Sequence, residues 1–184
     1  LMDVETHQAV FHWVLQLLAE GKLLKGKTIG VDATTLEANA ALRSIVRRDT
    51  GEQYNEFLKR LAKESGIETP TREQLRKLDR KRPKKGSNEE WQHPHDPDSR
   101  ITKMKDGRTH LAHKAEHAVD METGAIVAVR VQPADEGDTT TIDETVAEAS
   151  QRIADVAAKT NNEENGELVS PEGPSEVVTD KGYH

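Results

Sequence analysis

The stretch Lys-Thr-Ile-Gly-Val-Asp-Ala-Thr, residues 27–34, decides the fold, and Glu-Val-Val-Thr-Asp, residues 176–180, is its counterpart. Each is a short apolar, β-branched run that carries an aspartate, Asp32 or Asp180, and each predicts a strand. A carboxylate at a strand end is held by the backbone ladder while its head group points into a cleft. Folds use this arrangement to bring acids from distant positions onto a metal ion.

Outside these two strands, three segments have a clear periodicity. Apolar residues at helical spacing predict a first helix over 5–20, and Gly21 is placed to end it. Residues 111–120 and 125–132 predict a β-hairpin, with Gly124 supplying the positive φ of a bulged turn.

Within the first aspartate strand, we expect the side chain of Asp32 to point away from those of Ile29 and Val31, because successive side chains alternate between faces.

The segment after the hairpin predicts a helix of four to five turns, because apolar residues recur from Ile142 to Val156 at three-to-four spacing. Thr141 and Glu144 have the spacing of a capping box at its start. Residues 161–175 are acidic, contain glycine and proline, and predict a surface loop.

Between the first strand and the hairpin lies a region of about 36–108 that predicts a helical insertion. One helix has a single apolar stripe around Phe57 and ends at Gly66. A second, basic helix follows, with Thr71 and Gln74 as its capping box. Residues 83–99 predict a loop.

The composition narrows the function classes. Cysteine is absent, which excludes disulfides and thiolate sites, and aromatic residues make up only 3% of the chain, so we expect burial to depend on Val, Ile, Leu and Ala. The longest apolar stretch, residues 9–19, is shorter than the roughly 18 residues of a membrane span, and no secretory signal is visible. These features predict a soluble, cytoplasmic protein without a membrane partner.

The charged residues are unevenly distributed along the chain. Although the net charge is −7, residues 71–86 contain eight basic side chains and two acidic ones. Such a segment can bind a phosphate backbone locally, although runs of Lys and Arg are also common on solvated surfaces. The candidate DNA-contacting residues of this segment are Arg72, Arg76, Lys77, Arg80, Lys81, Arg82, Lys84 and Lys85.

At these motifs the chain resembles the catalytic domain of DDE-class transposases of bacterial insertion sequences. The resemblance covers roughly residues 10–184 and rests on several matches in order. They are Gly-Val-Asp-Ala-Thr (30–34), Asp-Pro-Asp-Ser-Arg (96–100), the hairpin segments 113–115 and 119–120, Gln-Pro-Ala (132–134) with Asp138 beyond, and Val-Thr-Asp-Lys-Gly-Tyr (178–183).

The resemblance implies an α/β fold of the ribonuclease H-like type, with a mixed sheet, flanking helices and the helical insertion after the first strand. Residues 1–26 would form a helix leading into the domain, and 27–184 would be a C-terminally truncated catalytic domain. In such a sheet the two aspartate-bearing strands lie side by side.

The family also implies a mechanism. Asp32 and Asp180 match two of its three metal-binding acids, which hold two Mg²⁺ or Mn²⁺ ions for strand cleavage and strand transfer at transposon ends. The third acid, a glutamate, is expected beyond His184, so we expect this chain alone to be inactive. Arg100 and Lys181 are further DNA-contact candidates, the transposon ends and target DNA are the partners, and a homodimer is implied in a nucleoid-associated bacterial complex.

Two other interpretations remain open. One is a non-catalytic DNA-binding or regulatory transposase remnant that uses the basic insertion. The other is a histidine-rich metal site, since imidazole is a common zinc ligand. If residues 111–120 form a strand, however, His113 and His117 share a face about 13 Å apart, while His110 faces the other way. His93 and His95 lie upstream.

Overall fold

The computed structural model describes residues 2–82, 86–162, 164 and 166–180. The described residues contain four α-helices: α1 (Val4–Glu20), α2 (Tyr54–Glu64), α3 (Arg72–Lys81) and α4 (Asp138–Thr160). Their strands are β1 (Thr28–Glu37), β2 (Val46–Arg47), β3 (Trp91–Gln92), β4 (Arg100–Lys103), β5 (Thr109–Asp120), β6 (Ile126–Pro133) and β7 (Glu176–Thr179). No helix among these described residues is long and apolar enough to cross a membrane.

The chain divides into two compact units. The first comprises residues 1–34, 115–132 and 136–184, and the second comprises residues 35–114 and 133–135. The long strands β1 and β5 each contribute residues to both units. The main sheet has the order β4-β5-β1-β7, with β6 paired to β5. Because β1 and β7 are parallel while β4 and β5 are antiparallel, the sheet is mixed and the fold is α/β, as the sequence predicts.

In the first unit, α1 and α4 pack on each other and on one face of the sheet. The core is aliphatic, with Leu15 and Ile153 from the helices against Ile29, Val31 and Val127 from the strands. The hairpin between β5 and β6 turns at Gly124, whose φ of 77° confirms the predicted positive value. The side chain of Asp120 holds this corner, since its Oδ2 accepts the backbone N–H of Gly26 at 2.8 Å.

The predicted start of the last helix is wrong. Helix α4 begins at Asp138 after the N-cap Gly137, so Thr141 lies inside the helix and is buried. Its hydroxyl donates to the buried carboxylate of Glu116 at 3.1 Å, and Thr145 donates to the same carboxylate. Thr141, which the sequence pattern assigns to a helix cap, therefore makes a tertiary contact between α4 and β5 instead.

The second unit is built around aromatic side chains. Residues 91–92, predicted as loop, form the short strand β3, which pairs antiparallel with β2. This pairing places Trp91 in the core, with Tyr54 and Phe57 in edge-to-face contact at centroid distances of 4.9 and 5.2 Å. The basic helix predicted over 71–85 is confirmed as α3 with its capping box of Thr71 and Gln74, but it ends at Lys81, because Arg82 has an extended backbone. Residues 83–85 lie outside the described residues.

Candidate metal centre

Asp32 lies on the exposed face of β1. The neighbouring Ile29 and Val31 are buried against the helices, and the aspartate points the opposite way, as the strand alternation predicts. Its Oδ1 accepts the backbone N–H of Ala33 at 2.8 Å. This local bond fixes the carboxylate and leaves it open to solvent.

Asp180 follows the last residue of β7. In the parallel pairing of β1 with β7, Val31 is opposite Thr179, so the register continued by one residue sets Asp32 opposite Asp180. Adjacent strands lie about 4.8 Å apart. The sequence prediction that the two aspartate strands are neighbours is therefore confirmed.

Both aspartates line an open groove of about 520 Å³ in the first unit. Its other walls include Thr34, His117 and Val178. His117 lies between the buried residues Glu116 and Ala118 on β5, as Asp32 follows the buried Val31 on β1. The groove thus follows the sheet face opposite to the one that α1 and α4 cover.

Gly30, the first residue of the motif Gly-Val-Asp-Ala-Thr, also lines the groove. A Cβ placed on this glycine would lie 2.5 Å from the Sδ of Met121, far inside van der Waals contact. Any side chain at this position would displace Met121 along the groove floor. The sequence contains a hint of this contact, because a glycine inside a strand often marks a position where another part of the protein or a ligand approaches the backbone closely.

The donor set fits a hard divalent cation. Carboxylate oxygens are preferred by Mg²⁺ and Mn²⁺, and Mg²⁺ is commonly held by only one or two carboxylates together with water and substrate phosphates. Across residues 2–82, 86–162, 164 and 166–180, no cluster of three or more His, Cys, Asp or Glu side chains is placed to hold a metal. Two carboxylates are therefore what these residues offer.

The cations of α3 belong to the second unit. Arg72, Arg76, Lys77, Arg80 and Lys81 are exposed, and Lys77 pairs with Glu73 at 3.4 Å. Arg82 differs from them: its guanidinium lies over the Phe57 ring at 4.5 Å and contacts Asp79 at 3.3 Å. Lys84, Lys85 and Lys181 lie outside the described residues.

Arg100, the remaining predicted DNA contact, is at the start of β4. Its Nε lies 3.5 Å from Oδ1 of Asp135, and its Nη1 donates to the carbonyl oxygen of Pro97 at 3.3 Å. The guanidinium is thus committed to interactions inside the second unit. These contacts fix its position beside the Asp-Pro-Asp segment.

The histidines are divided among separate contacts. His110, His113 and His117 all lie on β5, as the strand prediction requires. His113 Nε2 lies 3.1 Å from Oδ2 of Asp96, and His110 Nδ1 lies 2.6 Å from Oε1 of Glu37. His117 lines the groove instead. In the described part of the chain these imidazoles do not gather into a zinc site.

Comparison of the chain with protein-family models, with curated proteins and with solved structures finds no match. The geometry of the groove and the charges of the second unit are therefore the basis for a functional assignment.

Proposed function

We propose that this chain is part of the ribonuclease H-like catalytic domain of a DDE-class transposase. Its reaction is metal-dependent phosphoryl transfer on DNA, with strand cleavage and strand transfer at transposon ends. The observation that carries the proposal is the parallel pairing of β1 with β7, which brings Asp32 and Asp180 to one groove. The element order, with a hairpin and a helix between these two strands, supports it further.

In this proposal Asp32 and Asp180 hold the divalent ions. When bound there, Mg²⁺ or Mn²⁺ would stabilise the negative charge that develops on the attacking and leaving oxygens of a phosphoryl transfer. The residues of this chain position the two carboxylates. The β1 and β7 ladder fixes the two backbones, and the bond from Ala33 orients the Asp32 carboxylate. The open groove leaves space for a phosphodiester beside both acids.

The family's third acid is not assigned to a residue of this chain. His117 lines the same groove, but within the described residues no third acidic or imidazole side chain is placed to hold a metal together with Asp32 and Asp180. We therefore propose that the 184-residue polypeptide binds the ions weakly and does not cleave DNA by itself. Appreciable Mg²⁺-dependent cleavage by the purified polypeptide would contradict this part of the proposal.

Metal binding is tested by following free Mn²⁺ with electron paramagnetic resonance during a titration. We expect the wild-type protein to take up Mn²⁺, and Asp32→Asn and Asp180→Asn each to weaken that uptake about tenfold or more, because each removes one of two charged ligands. Asp143→Asn, which changes an exposed aspartate on α4, is the matched control. Equal uptake by all four proteins would rule out the site.

A second candidate function is favoured by α3. Its five exposed cations support a non-catalytic DNA-binding role on electrostatic grounds, since each phosphate that a cation neutralises releases counterions. In this alternative the basic insertion binds DNA and the groove performs no chemistry. Affinity for DNA without Mn²⁺ uptake at Asp32 and Asp180 would favour it.

The DNA role is measured as the dependence of affinity on salt concentration. We expect substitution of Arg76, Lys77, Arg80 and Lys81 by glutamine to lower DNA affinity. The slope of log affinity against log salt should flatten by about three, because each phosphate that is no longer neutralised accounts for roughly 0.7–0.9 of that slope. A control protein with glutamine at Lys59, Lys63, Lys103 and Lys105, which are also exposed cations of the second unit, keeps the wild-type slope. An unchanged slope in the α3 variant would exclude this helix from DNA binding.

A further inference from the structure

The groove that contains Asp32 and Asp180 has a further polar wall, His117 of β5, to which the proposed function gives no role. The imidazole lines the groove and is partly exposed. Among the described lining residues it is the only side chain with a nitrogen donor, since the others are glycine, threonine, aspartate or apolar. A groove that takes a phosphodiester needs donors, because ionised carboxylates only accept hydrogen bonds and repel the phosphate charge.

The position of His117 follows from the pairing of β5 with β1, which are neighbours in the sheet. At one end of the pair the backbone N–H of Met121 donates to the carbonyl oxygen of Thr28 at 3.0 Å. At the other end the backbone N–H of Ala38 donates to the carbonyl oxygen of Leu111 at 2.8 Å. Thr28 and Ala38 are as far apart in the sequence as Leu111 and Met121, so both bonds belong to one antiparallel register, in which bonded residues lie opposite each other.

This register sets His117 opposite Asp32. Both side chains therefore leave the same face of the sheet, with Cβ atoms about 4.5–5.5 Å apart. On the other side of β1, the continued register with β7 sets Asp32 opposite Asp180. The three residues thus form one row across three adjacent strands, and all three line the groove.

The imidazole of His117 is open to a ligand. The other two histidines of β5, His110 and His113, each lie within hydrogen-bond distance of a carboxylate. In the part of the chain that the structure describes, His117 makes neither a hydrogen bond nor an ion pair, and the adjacent Asp32 carboxylate accepts a backbone N–H instead. Because an imidazole keeps one N–H even when it is neutral, His117 offers a donor to the groove.

We propose that His117 is a substrate contact of the phosphoryl-transfer site and donates a hydrogen bond to a phosphate oxygen of the DNA strand beside Asp32 and Asp180. This inference rests on the proposed function for the presence of that strand. Side-chain hydrogen bonds to phosphate oxygens fix the position of a nucleic acid without reading its sequence. The two carboxylates are then left to the divalent cation, since the described side chains form no group of three placed to hold an ion.

The test is a titration of the full chain with the dinucleotide TpT, which has a single phosphodiester, with and without Mg²⁺. We expect TpT with Mg²⁺ to shift the imidazole nitrogen resonances of His117 beyond the shifts that Mg²⁺ alone produces. His117→Leu should bind TpT about tenfold more weakly, because a hydrogen bond to a charged group is lost. His117→Gln keeps an N–H donor and should bind more tightly than His117→Leu. His7→Gln, an exposed histidine of the same unit, is the control and should bind TpT like the wild type.

The inference is overturned if TpT does not bind, if it leaves the His117 resonances in place, or if folded His117→Leu binds it as tightly as the wild type. If His117→Leu does not fold, the imidazole resonances of the wild type decide the question.

Uptake of Mn²⁺ in the absence of TpT separates this inference from the metal proposal. We expect His117→Leu to take up Mn²⁺ like the wild type, whereas Asp32→Asn does not. An equal loss of uptake in these two variants would make His117 a metal ligand and overturn the inference. Absence of uptake by the wild type contradicts the metal proposal, while normal uptake with unchanged TpT affinity in His117→Leu contradicts only the role of His117.

Discussion

The two units bury different kinds of hydrophobic side chain. The fully buried hydrophobic cluster described in the first unit is aliphatic, from Leu15 of α1 to Val156 of α4, against one face of a sheet. The second has strands of only two residues in its small sheet and gathers Tyr54, Phe57 and Trp91 at its centre. Where regular layers are short, large rings supply the buried area, since each aromatic side chain buries about 150–250 Å².

The aromatic centre of the second unit is also surrounded by cations. Arg60 lies over the Phe57 ring at 5.2 Å, Arg82 over the same ring at 4.5 Å, and Arg47 near the Trp91 ring at 5.7 Å. Guanidinium groups cover the rings while their charges remain paired, for example Arg47 with Asp49 at 2.7 Å. Arg47, Arg60 and Arg82 of this unit therefore have a structural role, whereas the cations of α3 are exposed.

The largest expected effect on stability comes from removing the side chain at the centre of the aromatic cluster. Trp91→Ala deletes a side chain that is 1% exposed and should lower the free energy of unfolding by about 3–5 kcal/mol. Trp13→Ala is the matched control, since Trp13 on α1 is 57% exposed, and should change it by less than about 0.5 kcal/mol. Urea denaturation followed by far-ultraviolet circular dichroism measures both. Similar losses in the two variants would contradict the comparison between the units.

A glycine pair tests how tightly the aliphatic core is packed. Gly26 has a φ of 69°, and an added Cβ would lie 2.6 Å from Cγ2 of Ile153. Gly26→Ala therefore combines backbone strain with a clash in the core and should cost about 2–4 kcal/mol.

The control for this change is Gly66→Ala in the second unit. Gly66 has a φ of 84° and nothing within 4 Å of an added Cβ, so the change should cost only about 1 kcal/mol of backbone strain. Thermal and urea unfolding give both values. Equal costs would mean that the core around Ile153 yields to an extra methyl group.

The smallest expected effect concerns pH. Burial lowers the pKa of His12, and the nearby Lys159 ammonium lowers it further, with Nζ 3.1 Å from the His12 Nε2. The unfolded chain therefore takes up this proton first, so stability is lost as pH falls from the unfolded value of 6.5 towards the lower folded pKa.

Urea unfolding at about pH 7.5 and about pH 5.5 checks this sign. The fall in stability should be smaller in His12→Gln than in the wild type, while His7→Gln, an exposed histidine of the same helix, retains the wild-type fall. A larger fall in His12→Gln would mean that protonated His12 stabilises the contact between α1 and α4.

The parts of the fold that the sequence predicts are those with local signals. The periodicity of 5–20 and 142–156, the capping box at Thr71 and the turn at Gly124 all depend on residues close in the chain, and the structure confirms them. Strand β3 is missed because its two residues pair with a distant segment, and the start of α4 is misplaced because Thr141 bonds to Glu116.

The same distinction holds for the candidate site. Asp32 and Asp180 are predicted at two strand ends, and the prediction that their strands are neighbours is confirmed. Asp180 does follow the end of β7, but the predicted position of Asp32 is wrong, because β1 continues beyond it to Glu37 and Asp32 lies within the strand. The floor of the groove is not predicted, because the approach of Met121 to Gly30 is a contact between distant segments. Arg82 could not be told from the other cations of its segment, since its position over Phe57 arises from packing of α3 on α2.

The most direct test of the metal-site claim is paramagnetic broadening of backbone amide resonances by substoichiometric Mn²⁺. The account predicts that amides of Asp32, Ala33 and Thr179 broaden first, that Asp32→Asn abolishes this selectivity, and that Asp143→Asn retains it. Broadening that begins elsewhere, or that is unchanged in Asp32→Asn, would contradict the assignment of the groove between β1 and β7 as a metal centre.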